Sequence, residues 1–562
     1  MTGGAPGAVA GASQQGRRTD FATVIIHWIV VILFVASFVT GIRIAADAPD
    51  ATWSQALAAY TLQGEVIVWH LWSAWGLGPG AWGLAGIAVA YVVFMIVARL
   101  GARIVLDRSR VRALSTGDRR TRWQSINILV YWLAFALLAV AIATGTAIYF
   151  DLSGESQLLL TIHRIAAWSL VAYVAVHVAA QWMMTGVRGL LKILTPRLAF
   201  VVPALVALVA AVATAAAVFQ GDTLAIRSLH VARTSVPPRL DGIPGDFSWV
   251  AAEPVVFQTI RGQNLPNESV AVTVWAVHDG ETAFFLFEWP DTTRSQKHLP
   301  PQKTEKGWRV IQTDFARSDE DAYYEDKFAV MLSNSSRFGA LKSTHLGPRP
   351  LSDKPGPAGG RGLHYTENGS LLDVWHWKSV RTGPLGQIDD NFFGPPLAPP
   401  EKAGARYTAG YSKDPKTGGG FAMNWESFSE DLVVPRWLPK DPAVLGRMAK
   451  VELDPAASDA GDWWIPEDLL VPYAAELDAK YPVGTVMPSV VISRPFQGNR
   501  GDVAAVANWQ KGHWRLEVAR KLDTGSSYDV PIQNGVFLWV AVFDNTQTRH
   551  SLHLHPARLV LQ

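Results

Sequence analysis

The stretch Thr161-Ile-His-Arg-Ile-Ala-Ala-Trp-Ser-Leu-Val-Ala-Tyr-Val-Ala-Val-His-Val-Ala-Ala-Gln-Trp182 is long and apolar enough to form a membrane-spanning helix. It carries two histidines, His163 and His177, fourteen residues apart. At about 100° per residue, fourteen steps return to within roughly 40° of the starting face and climb about 21 Å. Both imidazoles therefore face one side of the helix, one near each membrane surface. Ionisable groups at such depth are costly and mark functional sites. Two imidazoles on one face could ligate two stacked haems. The alternative is a pair of buried histidines bonded to neighbouring helices.

Around this helix the chain falls into two unlike halves. Residues 21–220 are dominated by Ala, Val, Leu, Ile and Trp, whereas residues 222–562 are polar and rich in Pro, Gly, Asp and Lys. The first reads as a membrane domain and the second as a soluble one. The net charge of +2 gives no sign of a nucleic-acid partner. The 562 residues contain no cysteine, which excludes disulfides, thiolate zinc sites, cysteine-ligated iron–sulfur clusters and covalently attached c-type haem. Any haem must be held by coordination and packing alone.

Residues 1–20 read as a cytoplasmic tail ending in Arg17-Arg18. The first span is expected at Phe21–Ile42 and carries His27 next to Trp28. A second segment, Gly64–Arg99, carries His70. Gly76, Gly78, Pro79 and Gly80 should kink or break it, leaving Ala81–Ala98 as its membrane part. That puts His70 near the outer surface or above it. The third span is expected at Trp123–Phe150 and a fifth, without histidine, at Leu198–Phe219. The domains are thus a di-haem bundle over 21–195, a fifth transmembrane helix within 196–221, and a soluble domain over 222–562.

Loop charge orients the spans. The 99–122 loop holds eight arginines against Asp107 and Asp118, and the loop after the fourth span holds Arg188, Lys192 and Arg197. The opposite loops carry Asp47, Asp50, Asp151 and Glu155 with no basic residue beyond Arg43. Positive loops stay in the cytoplasm. The N-terminus is then inside, and five spans put residues 222–562 outside, in the periplasm of a cell with an outer membrane. Depth now pairs the histidines: His27 with His177 on the inner side, His70 with His163 on the outer side. Four histidines in two depth-matched pairs are a stronger signal than any one alone.

His27-Trp28 in the first span, a histidine before the second, and His163-Arg164 followed by His177 in the fourth resemble the di-haem cytochrome b subunits of membrane-bound formate dehydrogenase and nickel–iron hydrogenase. The resemblance covers about residues 18–195; the Gly/Pro-rich insertion after His70 departs from it. It implies that the four histidines ligate the iron of two b haems and that quinone is reduced, or quinol oxidised, near one of them.

In the soluble half, Ser269–Val277 and Thr282–Trp289 read as strands joined through Asp279-Gly280. Trp514–Leu522 and Gly535–Asp544 alternate apolar and polar residues. Gly221–Pro238 reads as a linker, Leu469–Lys480 as a short helical stretch and Gly347–Gly362 as a Pro/Gly-rich loop. The expected fold is a membrane all-α bundle followed by an extracytoplasmic all-β sandwich with long insertions. Asp241-Gly242 followed by Trp249, Phe287–Asp291, Glu325–Leu332, Asp373–Lys378 and Trp509–Leu522 resemble, in order, the haem-binding subunit of ethylbenzene dehydrogenase and related molybdoenzymes. That family is a β-sandwich binding one b haem through two side chains, a methionine and a lysine in its best-known members. Where the methionine would fall, shortly before Trp375-His-Trp377, this chain offers His364; where some relatives carry a c-type haem motif, it offers His345 in Lys342–His345. The resemblance thus makes His364 and His345 candidate ligands, with Met331, Lys378, His513 and His555 behind them. His376, between two tryptophans on a strand, reads as structural.

No P-loop, dinucleotide fingerprint, G-x-S-x-G elbow or H-E-x-x-H is present. The expected function is that of a multi-pass cytochrome of the inner (cytoplasmic) membrane, with two b haems in the bilayer and one outside, moving electrons between quinone and a periplasmic electron-transfer protein or molybdoenzyme. Two alternatives stand beside it: a membrane-anchored ligand-binding sandwich, and an electron-transfer subunit of a larger molybdenum enzyme.

Overall fold

A computed structural model describes residues 19–46, 60–76, 83–150, 152, 156–190, 194, 199–243, 245–313, 319–342, 363–398, 407–427 and 432–562. The chain forms two compact units. One comprises residues 1–42 and 67–224, the other residues 43–66 and 225–562.

The first unit is helical: α1 (Phe21–Ala46), α2 (Val66–Trp75), α3 (Leu84–Val97), α4 (Arg108–Thr116), α5 (Arg119–Tyr149), α6 (Ser156–Leu190) and α7 (Val201–Ala225). Four of these, α1, α5, α6 and α7, are long and apolar enough to cross a membrane, and the bent pair of α3 with residues 101–116 makes a fifth candidate. The chain is therefore a multi-pass membrane protein. The expected second segment is broken, with α2 ending at Trp75 and α3 opening at Leu84. Asp107 and Asp118 cap α4 and α5 by accepting the Arg110 and Thr121 amides, which marks where the arginine-rich loop ends. The fourth helix runs from Ser156 to Leu190, with its apolar span at Leu158–Met184 and a non-helical residue beyond it at Gly186, where φ is +59°. Polar contacts tie the helices. Gln181 donates to Asn127 across α5 and α6 at 3.3 Å, and Tyr149 on α5 donates to Asp222 on α7. Gly86 on α3 lets the helix approach Ala211 of α7, whose carbonyl oxygen would lie 3.3 Å from an added Cβ.

The second unit is β-rich. Its main sheet has twelve strands: β1 (Arg227–Arg233), β2 (Val255–Thr259), β3 (Val270–His278), β4 (Thr282–Pro290), β5 (Lys327–Ser333), β6 (Leu372–Lys378), β7 (Asp389–Phe393), β8 (Tyr411–Lys413), β9 (Ala504–Gln510), β10 (His513–Lys521), β11 (Phe537–Phe543) and β12 (Ala557–Leu561). Their order is β8-β7-β6-β5-β11-β12-β1-β3-β4-β10-β9, with β2 on β3. Strand β1 joins the two halves of the sheet. Its residues 227–231 run parallel to β12 and its last two parallel to β3. The sheet curls so that both halves bury one apolar core, which is the expected sandwich. That core includes Phe285, Phe287 and Trp289 from β4, Phe328 and Val330 from β5, Trp375 and Trp377 from β6, and Leu516 and Val518 from β10. The ring of Trp289 lies 4.6 Å from Phe328, and that of Trp377 lies 5.0 Å from Trp514. The tryptophan-bearing strings singled out in the sequence therefore meet in one place. Three smaller sheets built from 301–310, 421–439, 464–472 and 490–492 form the insertions, with cores of their own.

Two local expectations change. The linker 221–238 is absent as such: α7 runs to Ala225 and β1 opens at Arg227, because Gly221 and Asp222 are absorbed into the helix. Leu469–Lys480 is a 3-10 turn, a three-residue strand and a single helical turn at Ala475–Asp478, since Pro472 cannot donate to a helical ladder. The loop 347–362 lies outside the described residues.

Candidate haem-binding sites

His70 on α2 and His163 on α6 face each other with ring centroids 6.4 Å apart and planes at 79°. Two metal–imidazole bonds of about 2 Å in line hold two ring centroids roughly 6 Å apart, so an iron between these rings fits. The far nitrogens are engaged in the same way on both sides. His70 Nδ1 lies 3.0 Å from Thr40 Oγ1 and 2.9 Å from the Ser37 carbonyl. His163 Nδ1 lies 3.0 Å from Thr144 Oγ1 and 3.1 Å from the Ala141 carbonyl. Each threonine hydroxyl donates its proton to the carbonyl four residues back, Ala36 or Val140, at 2.7 Å. It can then only accept from the ring. Flanked by two acceptors, each Nδ1 carries the proton. This assigns the tautomer and leaves the Nε2 lone pair for a metal.

The two supports are copies of one pattern: a carbonyl at position i, threonine at i+3 and glycine at i+4. The glycines let the rings approach. A Cβ on Gly41 would meet His70 Cε1 at 3.4 Å, and one on Gly145 would meet His163 Cε1 at 3.3 Å. The sequence reading missed Thr40, Gly41, Thr144 and Gly145, although the Thr-Gly dipeptide recurs near the C-terminal ends of the first and third spans.

His27 on α1 and His177 on α6 are the other expected pair, and each lies half-buried within the bundle. His177 stacks on Tyr173, with centroids 5.6 Å apart, and lies 5.9 Å from Tyr131. His27 meets the edge of Trp28. Unlike the outer pair, both Nδ1 atoms are buried without a hydrogen-bond partner. A buried orphan nitrogen is costly.

In the sheet unit, antiparallel register sorts the residues by face. Opposite the core, Ala329 of β5 pairs with His376 of β6 and with Ala541 of β11, beside Met331, Phe393, Tyr411 and Phe543 on the same face. His364 stacks on Phe393 at 4.5 Å and lies 6.0 Å from His550. His376 stacks on Phe543 at 5.2 Å, and its Nδ1 lies 3.0 Å from Tyr411 Oη. Its Nε2 is buried and unpartnered. Burial, reinforced by Lys378, Lys327 and Arg381, holds His376 well below the usual imidazole range, so the ring is neutral. This cluster joins His364 to two histidines the sequence reading had not grouped with it. Other candidates are engaged otherwise. Lys378 pairs with Asp389, His513 contacts the Lys511 carbonyl at the start of β10, and the carbonyl of His555 bonds His553. His345 lies outside the described residues.

The family model of ethylbenzene dehydrogenase matches residues 246–554, and that of prokaryotic cytochrome b561 matches residues 18–196. The second match implies haem b in the membrane domain. No curated protein matches the chain. Among solved structures, a family 9 carbohydrate-binding module from Caldicellulosiruptor kristjanssonii in complex with glucose is similar at 8% identity and a TM-score of 0.21, covering 60% of this chain and 96% of that one. A putative carbohydrate-binding protein from Bacteroides uniformis is similar at 8% identity and a TM-score of 0.25, covering 60% and 99%. Such low scores carry no argument about ligand. With more than half of its length matched by one family model, the chain belongs to the ethylbenzene dehydrogenase family, and a cytochrome b561-like membrane domain precedes that match.

Proposed function

We propose that this protein is a multihaem b-type cytochrome of the cytoplasmic membrane. It carries electrons between the quinone pool and a redox partner on the outer side. The observation that carries this reading is the facing of His70 and His163, with ring centroids 6.4 Å apart and both Nδ1 atoms engaged behind them, which leaves both Nε2 lone pairs for a metal. In this reading His70 and His163 hold the outer haem and His27 and His177 the inner one, about 21 Å apart along α6. Haem bound there supplies one-electron transfer. The chain's own residues fix the ligand tautomer through Thr40 and Thr144 and admit the rings through Gly41 and Gly145. In the sheet domain His364 is one axial ligand of a third b haem, with the second drawn from His376 and His550. Phe393 and Phe543 wall that site against water.

The test is a reduced-minus-oxidised spectrum with a haem-to-protein ratio on the full chain. His163→Ala and His177→Ala should each lose one membrane haem, and not the same one. His364→Ala should remove or shift a third α band that acid–acetone extracts completely. Retention of every haem with unchanged spectra in both membrane variants would overturn the pairing. A preparation that never binds haem would favour a ligand-binding module.

Family membership also supports a second reading, an electron-transfer subunit of a molybdenum enzyme. Mild solubilisation from the native host should then co-purify a molybdenum-containing partner. Recovery of the chain alone, with quinol oxidation intact, would favour the free-standing cytochrome.

A further inference from the structure

Five aspartates converge on the core-side face at the β8 edge of the main sheet. They are Asp373 on β6, Asp390 on β7, Asp414 just after β8, Asp502 after the 3-10 turn Asn499–Gly501, and Asp529 before Val530. The cross-strand register puts Asp390 opposite Trp375 and Asp373 opposite Phe392, on one face of the sheet. The cation bonded within the group is Arg520, which bridges Asp373 at 3.0 Å and Asp529 at 2.9 Å. Five carboxylates against one guanidinium leave a formal excess of about four negative charges in a nearly dry site, a costly arrangement without a counter-ion.

The hydrogen bonds do not relieve it. Asp390 Oδ1 receives the Asn391 amide and Asp373 Oδ2 the Val530 amide. Asp390 Oδ2, Asp373 Oδ1, Asp502 Oδ1, Asp529 Oδ1 and both oxygens of Asp414 are buried with no partner. Asp414 is only 3% exposed, its carboxylate has no donor among the described residues, and it faces the carboxylate of Asp529. One oxygen from each of Asp390, Asp414 and Asp529 lies within 4.8 Å of the others. Oxygens bound to one Ca²⁺ at about 2.4 Å can be no further apart than roughly 4.8 Å. Burial and the neighbouring carboxylates push Asp414 up to about 8. Burial, with Asp529 adding to it, pushes Asp373 up to about 7. The same strain would be relieved by a cation.

A second buried triad, Asp291, Asp326 and Asp544, is a useful contrast. There Asp326 accepts from the Ser295 and Asn545 amides and from Trp514 Nε1, Asp291 Oδ1 accepts the Thr293 amide, and Asp291 Oδ2 is the one oxygen of the triad fully buried without a partner among the described residues.

We propose that Asp390, Asp414 and Asp529, with Asp502 beside them, bind one Ca²⁺ ion that pins the 523–530 turn to the β7–β8 edge. Many oxygens on short, flexible carboxylates suit Ca²⁺, whereas Mg²⁺ keeps its own waters and strict octahedral geometry.

The test uses the full chain in detergent, stripped with EGTA and titrated with CaCl₂ up to about 1 mM, the range of extracellular calcium modules. Bound calcium is counted by equilibrium dialysis and stability is followed by tryptophan fluorescence on heating. The wild type should take up one Ca²⁺ per chain and melt at a higher temperature with it. Asp414→Asn should bind Ca²⁺ at least about tenfold more weakly, yet at pH 8.5, where Asp414 is ionised, melt above the stripped wild type because one repelling charge is gone. Asp502→Asn is the second variant should Asp414→Asn fail to fold, and should likewise weaken binding. Asp291→Asn should leave uptake unchanged. No calcium uptake by the stripped wild type, or equal uptake by Asp414→Asn and Asp502→Asn, would overturn the site.

Discussion

A histidine that binds metal through one nitrogen is only as well placed as the group behind its other nitrogen, and behind the proposed ligands His70 and His163 stand Thr40 and Thr144. Thr144→Val keeps the shape but removes the hydroxyl acceptor, leaving His163 Nδ1 only the Ala141 carbonyl. The ring becomes a poorer electron donor. Haem affinity at the outer site should fall about tenfold, the low end for loss of such a partner, and the outer midpoint potential should rise. Thr144→Ser should restore both. Potentiometric titration of the α band reads this directly, and an unmoved potential would reduce Thr144 to a packing residue. The proposed ligands were legible in the sequence because a histidine inside an apolar span is conspicuous. Their supports were not, because threonine and glycine in a membrane helix also read as ordinary small-residue packing. His550 and Tyr411 escaped for another reason: they reach His364 and His376 through strand pairing across long sequence separations, which no local pattern reports.

The strands show why some motifs recur together. The buried carboxylate of Glu517 on β10 accepts the Asp241 and Gly242 amides, each at 2.8 Å, and Trp249 Nε1 at 2.9 Å. The Asp-Gly turn and the distant tryptophan are thus the lid over one glutamate. Glu517→Ala would orphan three donors and should cost about 3 kcal/mol in urea unfolding, whereas Glu517→Gln, which keeps an acceptor oxygen, should cost clearly less. Equal losses would mean the charge matters more than the bonds. The aspartate cluster gives a pH signature in the EGTA-stripped protein. Asp373 and Asp414 are held up to about 7 and 8, so the folded chain binds protons there that the unfolded chain, with carboxyls near 4, does not. Their contribution is present at low pH and lost as pH rises through 7 to 8. The stripped protein should therefore melt higher at pH 6.5 than at pH 8.5. Buried His298 and His553, both held down at about 4, and His376 pull the other way as pH falls toward the ordinary imidazole value near 6.5, and Lys378, held down to about 8, does so above pH 8, so both act only at the edges of this window. Alternation and the Asp279-Gly280 turn made the β3–β4 hairpin readable, with Gly280 at φ +108° where a left-handed residue is required. The sheet order was not readable. Its closure pairs Arg227 with Ala557, and that register is set by packing both faces of the core rather than by any turn.

At the scale of the whole chain, the decisive question is how many times it crosses the membrane before β1. Helix α3 has fourteen residues, about 21 Å, short of a hydrocarbon core of about 30 Å, so its length alone does not make it a span. Contacts at its far end supply the argument. Arg103, just beyond α3, pairs at 3.1 Å with Asp20, just ahead of α1. Ala22 at the head of α1 packs in one cluster with Phe94 and Met95, and with Ala98 and Leu100 beside them. The start of α1 and the end of α3 thus share one side of the bundle, while Thr40, near the other end of α1, holds His70 of α2. Helix α1 and the broken α2–α3 segment thus run in opposite directions across the bundle. By the charge rule the arginine-rich segment 99–122 is expected in the cytoplasm, with the head of α1 on that side. From there α5 is expected to lead out, α6 to lead back and α7 to lead out again to β1. Alkaline phosphatase fused after Gln562 should be active, and β-galactosidase at the same point silent. A fusion after Thr116 should behave in the reverse way. Active β-galactosidase at the C-terminus would mean an even number of crossings, and the sheet domain would then face the cytoplasm with no outer partner to serve.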